Sequence, residues 1–354
     1  MSGGVDSSVT AALLVQEGYD VIGATMQTWP DLGDEVEEVR QGGCCSISAV
    51  DDARRVADKL GIPYYVLNFK ENFQERVIDY FLREYTQGRT PNPCIACNRY
   101  VKFDELLRRA RALDADYVAT GHYAKVERDE ASGRFVLRKS VDRGKDQTYA
   151  LYNLTQSQLA HTLMPLGYYE KTVTRRIARE LGLATANKPD SQEICFVLDD
   201  DYKRFVAEKA PEAVRPGPIM DTRGHVLGTH TGLPNYTVGQ RRGLGLAAEK
   251  PLYVVDLLPE QNALVVGSGD EVLSDRLEAD DLNWIAFEQP DGPFAAEAKI
   301  RYGATPVPCL VTPRSDGSVH VDFSRPLRAI TPGQAVVFYQ GDLVVGGGTI
   351  QRGR

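Results

Sequence analysis

The chain reads as an α/β protein, with an amino-terminal domain on a parallel sheet, a small β-rich middle domain and a carboxyl-terminal all-β domain. Three observations predict this. Across the first half, short β-rich runs alternate with helical patterns. After Pro211 the texture changes to Gly, Pro and alternating strands, and from about Leu277 strand-like runs recur at the spacing of a small barrel or sandwich. The resulting domains are 1–210, 211–276 and 277–354.

The opening "MSGGVDSS" is a loop whose glycines and hydroxyls expose backbone N–H groups to an anion, ahead of a helix beginning with Val9-Thr10-Ala11-Ala12-Leu13-Leu14. Such loops normally follow a buried strand. None precedes Ser2, and the expectation is a start upstream of Met1. Val21 to Met26 is the next strand. Val50, Ala53, Val56, Ala57 and Leu60 then recur at helical spacing until Gly61. Tyr64 to Leu67 is a strand, Phe73 to Tyr85 a long helix, and Pro91 and Pro93 mark a loop. A helix from about Phe103 to Leu113 follows, then a strand from Tyr117 to Thr120 ending in Gly121-His122. Ligands of a parallel sheet sit at the carboxyl ends of its strands, where the opening loop, Met26 and Gly121-His122 fall.

In the middle domain, "PGPIMDTRGHVLGTHTG" reads as two strands around Thr222-Arg223-Gly224, and "PLYVVDLLPEQNALVVG" as a hairpin turning near Pro259 to Asn262. "AEAKIRYG", "VPCLVTP", "SVHVDFS", "AVVFYQ" and "DLVVGGGTI" are the strands of the last domain.

Composition is that of an ordinary globular protein, with 354 residues of which 42% are apolar. No apolar run of about 18 residues occurs and the amino terminus is no secretory signal, so the expected location is cytoplasmic, with no membrane partner. Six cysteines are too few for a disulfide scaffold and are read for catalysis or metal. A net charge of −8 argues against a broad nucleic-acid-binding face but leaves room for local basic patches. The patches to inspect are Arg99 to Arg111, Arg138 to Lys145, and Arg241-Arg242.

Three constellations carry chemistry. The opening loop combines Gly-Gly, an Asp able to reach magnesium and two hydroxyls, and it lacks the Gly-Lys-Ser/Thr ending of a Walker loop. In "TPNPCIACNRYVKFDELL", Cys97 stands just before Asn98 and a helix rich in arginine, where cations and a helix amino terminus favour thiolate. Cys94 and Cys97 form C-x-x-C, equally consistent with a nucleophile, a redox pair, or part of a zinc or iron–sulfur site. Cys195 in "KPDSQEICFV" supplies another thiol from a distant position, as needed if one thiol carries a sulfane sulfur and the other resolves the product through a disulfide. His161, His225, His230 and His320 lack metal-ligand spacing, so no metal site of the chain's own histidines is expected, and Cys309 reads as core.

Taken together, the glycine loop, "GCCS" at 43–46, "GRTPNPCxxCN" at 88–98, "ATGHYA" at 119–124, "KDQTYAL" at 145–151, "SQEICF" at 191–196, "YTVGQRRGLG" at 236–245 and "TPGQAVVFY" at 331–339 resemble the tRNA-specific 2-thiouridylase (MnmA) family, over essentially the whole chain and in the right order. The family belongs to the PP-loop ATP pyrophosphatases.

The resemblance implies an adenine nucleotide α-hydrolase-like domain, a central adaptor and a carboxyl-terminal tRNA-binding β-barrel. The implied activity is that of a tRNA-uridine 2-sulfurtransferase. ATP, with Mg2+, adenylates O2 of the wobble uridine at position 34 of tRNA-Lys, tRNA-Glu and tRNA-Gln, and sulfur replaces that oxygen. By the resemblance Cys195 is the persulfide carrier and Cys97 its partner nucleophile. Ser2, Gly3, Gly4, Val5, Asp6, Ser7, Ser8, Met26 and Gly121 are nucleotide-binding, with Asp6 organising magnesium and pyrophosphate. Asn92, Pro93 and Cys94 form the target-base loop, and His122, Lys145, Asp146, Gln147, Arg301, Tyr302 and Gln334 contact tRNA. The partners implied are the tRNA anticodon stem-loop and a cysteine desulfurase or sulfur-relay protein.

Flipping a base out of a single-stranded loop costs on the order of a few kcal/mol, which suits such a target. Cys94 stands where some members have Asp, which opens an alternative in which Cys94, Cys97 and Cys195 hold an iron–sulfur cluster with one iron free for hydrosulfide. The persulfide route is the reading adopted. Rivals are another PP-loop tRNA thiolase or amidating ligase, and a tRNA-binding protein without catalysis. Cys44 and Cys45 match a family motif and read as buried structural thiols.

Overall fold

Gly4 caps α1 (Val5–Gln16), which starts earlier than the apolar run at Val9 indicates because Val5 already belongs to its buried face. The computed structural model describes residues 1–28, 47–189, 194–197 and 199–352. Cys44 and Cys45, and Ser191 to Glu193, lie outside the described residues. The chain divides into two units. The first comprises Met1–Val77, Cys94–Asp200 and Asp342–Val344; the second comprises Ile78–Pro93, Asp201–Gly341 and Val345–Arg354.

In the first unit, β1 (Gly23–Gln27) and β2 (Tyr64–Asn68) flank α2 (Ile47–Leu60) in sequence and pair in parallel, Gly23 opposite Tyr64 through Gln27 opposite Asn68. Next come α3 (Lys70–Phe73), a π-helical stretch Gln74–Ile78 and, entering the second unit, α4 (Asp79–Thr86). After Pro93 the helical path runs unbroken through α5 (Pro93–Ala96), a π-helical stretch Cys97–Glu105 and α6 (Leu106–Arg111). The expected loop at Pro93 is therefore a helix start. Proline at the first helical position sacrifices no hydrogen bond and presets φ.

Then follow β3 (Val118–Ala119), the antiparallel pair β4 (Ala124–Arg128) and β5 (Phe135–Lys139), α7 (Gln156–Leu159), β6 (Thr162–Leu163) and α8 (Lys171–Glu180). β3 pairs in parallel with β6, and Leu343 pairs with Arg138 of β5. Parallel pairing is as expected, but among the described residues β1–β2 and β3–β6 are two separate pairs and not one continuous sheet. Met1 lies beside β1, its amino group donating to the Ala24 carbonyl and its carbonyl accepting from the Thr25 hydroxyl at 2.6 Å. Val5, Val9, Leu13, Val56, Tyr123, Leu166, Ala178 and Leu183 form a core beneath the opening loop.

The second unit holds α9 (Tyr202–Lys209) and a four-stranded sheet in the order β8-β7-β10-β9. Its strands are β7 (Gly217–Asp221), β8 (Val226–His230), β9 (Tyr253–Leu258) and β10 (Ala263–Gly267). Both expected hairpins are present and are joined by parallel β7–β10 pairing, over a core of Ile219, Val254, Leu264 and Val266. The remaining strands are β11 (Leu273–Trp284), β12 (Phe294–Lys299), β13 (Val307–Pro313), β14 (Val319–Arg328), β15 (Ala335–Gln340) and β16 (Leu343–Ile350). Their order is β11-β14-β13-β12-β15-β16, and β16 pairs back to β11, so the last domain is a closed six-stranded barrel. Closure gives each of these six strands a partner on both sides, and Cys309 lies in the barrel core as expected. No described helix is long and apolar enough to cross a membrane.

Candidate active site

The opening loop is shaped by what lies under it. Gly3 has φ +66°, and a Cβ there would stand 2.3 Å from the Ala49 carbonyl oxygen on α2. Ser2 N–H donates to Ser7 Oγ at 3.1 Å, while Ser7 and Ser8 hydroxyls donate to the Gly4 carbonyl at 3.2 and 2.8 Å. Gly4 has no side chain with which to cap α1, so the first-turn N–H groups, at the positive end of the helix dipole, are what the loop offers an anion. Val5 and Ser8 are buried at 3% and 0% exposure, so their side chains hold the loop and only their backbone can face a nucleotide.

Gly121 packs on this loop from the end of β3. A Cβ on it would meet the Asp6 carbonyl carbon and Cβ, each at 2.8 Å, and Ser7 N at 2.9 Å. Met26 lies half-buried near the carboxyl end of β1. Asp6 is held on both oxygens: Lys171 Nζ donates to each at 2.8 Å and the Tyr123 hydroxyl donates to Oδ1 at 3.0 Å. Lys188 Nζ donates to the Gly3 carbonyl at 3.1 Å and pairs with Asp52.

The thiols belong to the same unit. Cys97 opens the π-helical stretch, a wide and uncommon turn that recurs at functional sites, and it is half-exposed; Cys94 is exposed. The stretch is anchored by Asn98, 1% exposed, whose Nδ2 donates to the Ala150 carbonyl at 2.8 Å and whose Oδ1 accepts from Lys102 Nζ at 3.0 Å. Cys195, half-exposed, precedes buried Phe196, whose ring meets Phe73 edge-on at 6.0 Å. None of Cys94, Cys97, Cys195 and Cys309 is in a disulfide. Burial, with Glu297 nearby, pushes the Cys309 thiol up to about 12, in keeping with an inert core position.

The expected tRNA-contacting residues divide sharply. Arg301 and Tyr302 are exposed beyond β12. Asp146 and Gln147 are turned onto their own loop. Asp146 accepts from Ser140 N–H at 3.1 Å and the Thr148 hydroxyl at 2.7 Å, while Gln147 exchanges bonds with the Tyr123 backbone at 2.9 and 3.0 Å. Lys145 N–H donates to Asp142 Oδ1 at 3.2 Å in that same loop. His122 bonds the Thr120 hydroxyl at 2.8 Å and packs against Phe103. Burial of its ring, then the charge of Lys102, holds its pKa well below the ordinary imidazole value, so it offers no cation to phosphate.

In the second unit, Gln334 Nε2 donates to the Thr90 and Pro91 carbonyls at 2.8 and 3.3 Å, and Thr90 N–H donates to the Pro332 carbonyl at 2.9 Å. The "TPGQ" turn thus supports the segment leading to Asn92 and Pro93. Within the Arg99 to Arg111 run, part of the positive charge is met by Glu105. Arg108 and Arg109 bind Glu105, holding its carboxyl near 2 through the Arg108 hydrogen bonds first, and Arg109 also lies over Phe69 at 4.2 Å. Arg138 pairs with Glu127 and Asp342.

Three family models match the chain: the tRNA methyl transferase HUP domain over residues 1–199, its PRC-barrel domain over 203–268, and an aminomethyltransferase β-barrel domain over 274–350. A tRNA-specific 2-thiouridylase of Thermoanaerobacter pseudethanolicus is 59% identical over 352 residues, covering 99% of this chain and 96% of the relative. The chain belongs to the tRNA-specific 2-thiouridylase family. A further 2-thiouridylase, of Symbiobacterium thermophilum, is 59% identical over 99% of this chain and 91% of its own length. Among solved structures, the U34-tRNA thiolase NcsA of Methanococcus maripaludis, with its [4Fe-4S] cluster, aligns at a TM-score of 0.35 and 18% identity, over 60% of this chain and 65% of that one.

Two cofactor expectations for this 2-thiouridylase-family chain meet its geometry differently from the way its motifs suggested. Among the described residues, no group of three His, Cys, Asp or Glu is placed to hold a metal ion, so Cys94, Cys97 and Cys195 are not gathered as cluster ligands. Asp6, with Lys171 on both oxygens, is arranged as the counter-charge of a lysine and not as an open magnesium ligand. Lys171, Tyr123, Asp142 and Lys188 were absent from the sequence-based site. Lys188 and Tyr123 do sit inside quoted motifs, whereas nothing in the sequence around Lys171 marks it.

Proposed function

We infer that this chain is an ATP-dependent tRNA-uridine 2-sulfurtransferase acting on the wobble uridine of tRNA-Lys, tRNA-Glu and tRNA-Gln. The observation that carries the reading, beside family membership, is that the anion-binding loop and both half-exposed thiols, Cys97 and Cys195, belong to one unit. The α1 amino terminus and the glycine loop bind the polyphosphate of ATP. Uracil O2 attacks the α-phosphorus and pyrophosphate leaves, so the oxygen becomes part of an AMP leaving group.

The terminal sulfur of a Cys195 persulfide then attacks carbon 2, and AMP departs with the oxygen. Cys97 thiolate attacks Cys195 Sγ. The sulfur–sulfur bond to the base breaks, its electron pair forming the C=S bond, and a Cys97–Cys195 disulfide remains for an external thiol to reduce. A cysteine desulfurase or a relay protein supplies the persulfide, and the setting is the cytoplasm. Asn92, Pro93 and Cys94 border the flipped base, and exposed Arg301 and Tyr302 meet tRNA. The functional modules are read as 1–210, 211–276 and 277–354.

The test is thiolation of unmodified tRNA-Glu from a persulfide donor with ATP, on anaerobically purified protein analysed for iron and sulfide. Thiolation without stoichiometric iron is expected. Cys97→Ser and Cys195→Ser should each abolish it while ATP and tRNA still bind. Thiolation surviving in either variant refutes the assigned roles. Stoichiometric iron with activity lost on chelation would make the three cysteines cluster ligands, and tRNA binding with no turnover in the wild type would make the chain a binding protein.

A further inference from the structure

We propose that Lys171 is a positioning residue for the nucleotide, neutralising Asp6 and, with Tyr123, fastening the glycine loop to the 140–147 loop. This rests on the reading of residues 2–8 as the ATP site. Lys171 is the first residue of α8, and its side chain is 10% exposed, beside an Asp6 side chain at 32%. A lysine so enclosed requires a partner, and both of its short contacts to Asp6, at 2.8 Å, are made beside the N–H groups that would receive phosphate.

Two arms run from Asp6 to one loop. In the first, the Lys171 backbone N–H donates to Asp142 Oδ2 at 3.0 Å, and Asp142 Oδ1 accepts from Gly144 N–H at 3.0 Å and Lys145 N–H at 3.2 Å. In the second, the Tyr123 hydroxyl donates to Asp6 Oδ1 and lies 3.0 Å from Thr174 Oγ1, while the Tyr123 backbone N–H and carbonyl are both bonded to Gln147. Lys171 Nζ lies 5.5 Å from the centroid of the Tyr123 ring, which ties the arms to each other. Asp6 is therefore set by the loop that carries Lys145, Asp146 and Gln147. A bare Asp6 carboxylate would repel a polyphosphate at the end of α1; the Lys171 ammonium cancels that repulsion without occupying the N–H groups.

The experiment is equilibrium binding of a non-hydrolysable ATP analogue to the full chain by calorimetry. Lys171→Met should weaken binding at least tenfold, because it uncovers the Asp6 charge. Adding Asp6→Asn to that variant should recover most of the loss, a coupling that a lysine serving only to fill space would not produce. Tyr123→Phe, which removes a single hydroxyl, should weaken binding about threefold with the fold intact, and it decides the matter should Lys171→Met fail to fold. Unchanged affinity in Lys171→Met or in Tyr123→Phe overturns the proposal, as does a double variant no tighter than Lys171→Met. A wild type that binds the analogue but thiolates no tRNA overturns only the function proposed above; one that does not bind it overturns the ATP site and this proposal together.

Discussion

Replacing Gly3 by alanine tests whether the loop is shaped by its contact with α2. The added Cβ would lie 2.3 Å from the Ala49 carbonyl oxygen, 2.7 Å from its Cα and 2.8 Å from its carbonyl carbon, all backbone atoms of a helix that cannot swing aside. Relief requires the loop to lift by about 1 Å, and overpacking of this kind costs about 1–3 kcal/mol. The residue also sits at φ +66°, where an L-side chain adds about 1–2 kcal/mol. Together these give about 2–5 kcal/mol. At about 2–4 °C per kcal/mol for a body of this size, the unfolding midpoint should fall by roughly 10 °C. Differential scanning calorimetry without nucleotide reads this on the transition that ATP raises. Gly4→Ala is the control, since Gly4 is extended (φ −98°, ψ 166°) and its nearest neighbour, Ser2 Oγ, is 3.5 Å away. That variant should keep its midpoint within a few degrees. A Gly3→Ala protein melting within 1–2 °C, roughly, of wild type would refute the reasoning.

Two further outcomes follow from polar groups of the first unit, His122 and Asn98. Because the folded-state pKa of His122 is depressed, the unfolded chain takes up a proton below about pH 6.5 that the folded chain does not; stability therefore falls as pH drops through that range, by at most about 1.4 kcal/mol per pH unit. His122→Gln should flatten the dependence, and an unchanged slope between pH 6.5 and 5 would count against a neutral, enclosed ring. Asn98→Ala removes the donor to the Ala150 carbonyl and an acceptor of Lys102, and it should lower stability by about 1–3 kcal/mol, read as a lower urea midpoint at unchanged slope.

How much of this was legible in the sequence depended on how far apart the interacting residues lie. The opening loop, the strand after α1, the two hairpins of the middle domain and the strands of the barrel are each contiguous patterns, set by glycine, alternation and turn chemistry within a few residues. The thiols stood out for the same reason, since Cys97 and Cys195 are chemically conspicuous inside short motifs. The helix through Cys97 was placed too late because Pro93 was read as a breaker, although proline at a first helical position is a starter. Residues expected to face tRNA are in several cases bonded inward: Asp146 and Gln147 share a motif with Lys145, and a motif does not say which of its side chains hold the loop.

The sequence by itself determined the chemistry available: a glycine loop able to receive a polyphosphate, two separated thiols, and a chain that turns to β-structure after Pro211. Tertiary structure decided how those groups are held. Asp6 and Lys171 are 165 residues apart, and Gln334 and Thr90 are 244 apart, so no local pattern records either contact. The physical reason is that a buried charge or carbonyl needs a partner wherever the fold can bring one, and periodicity carries information only about neighbours along the chain.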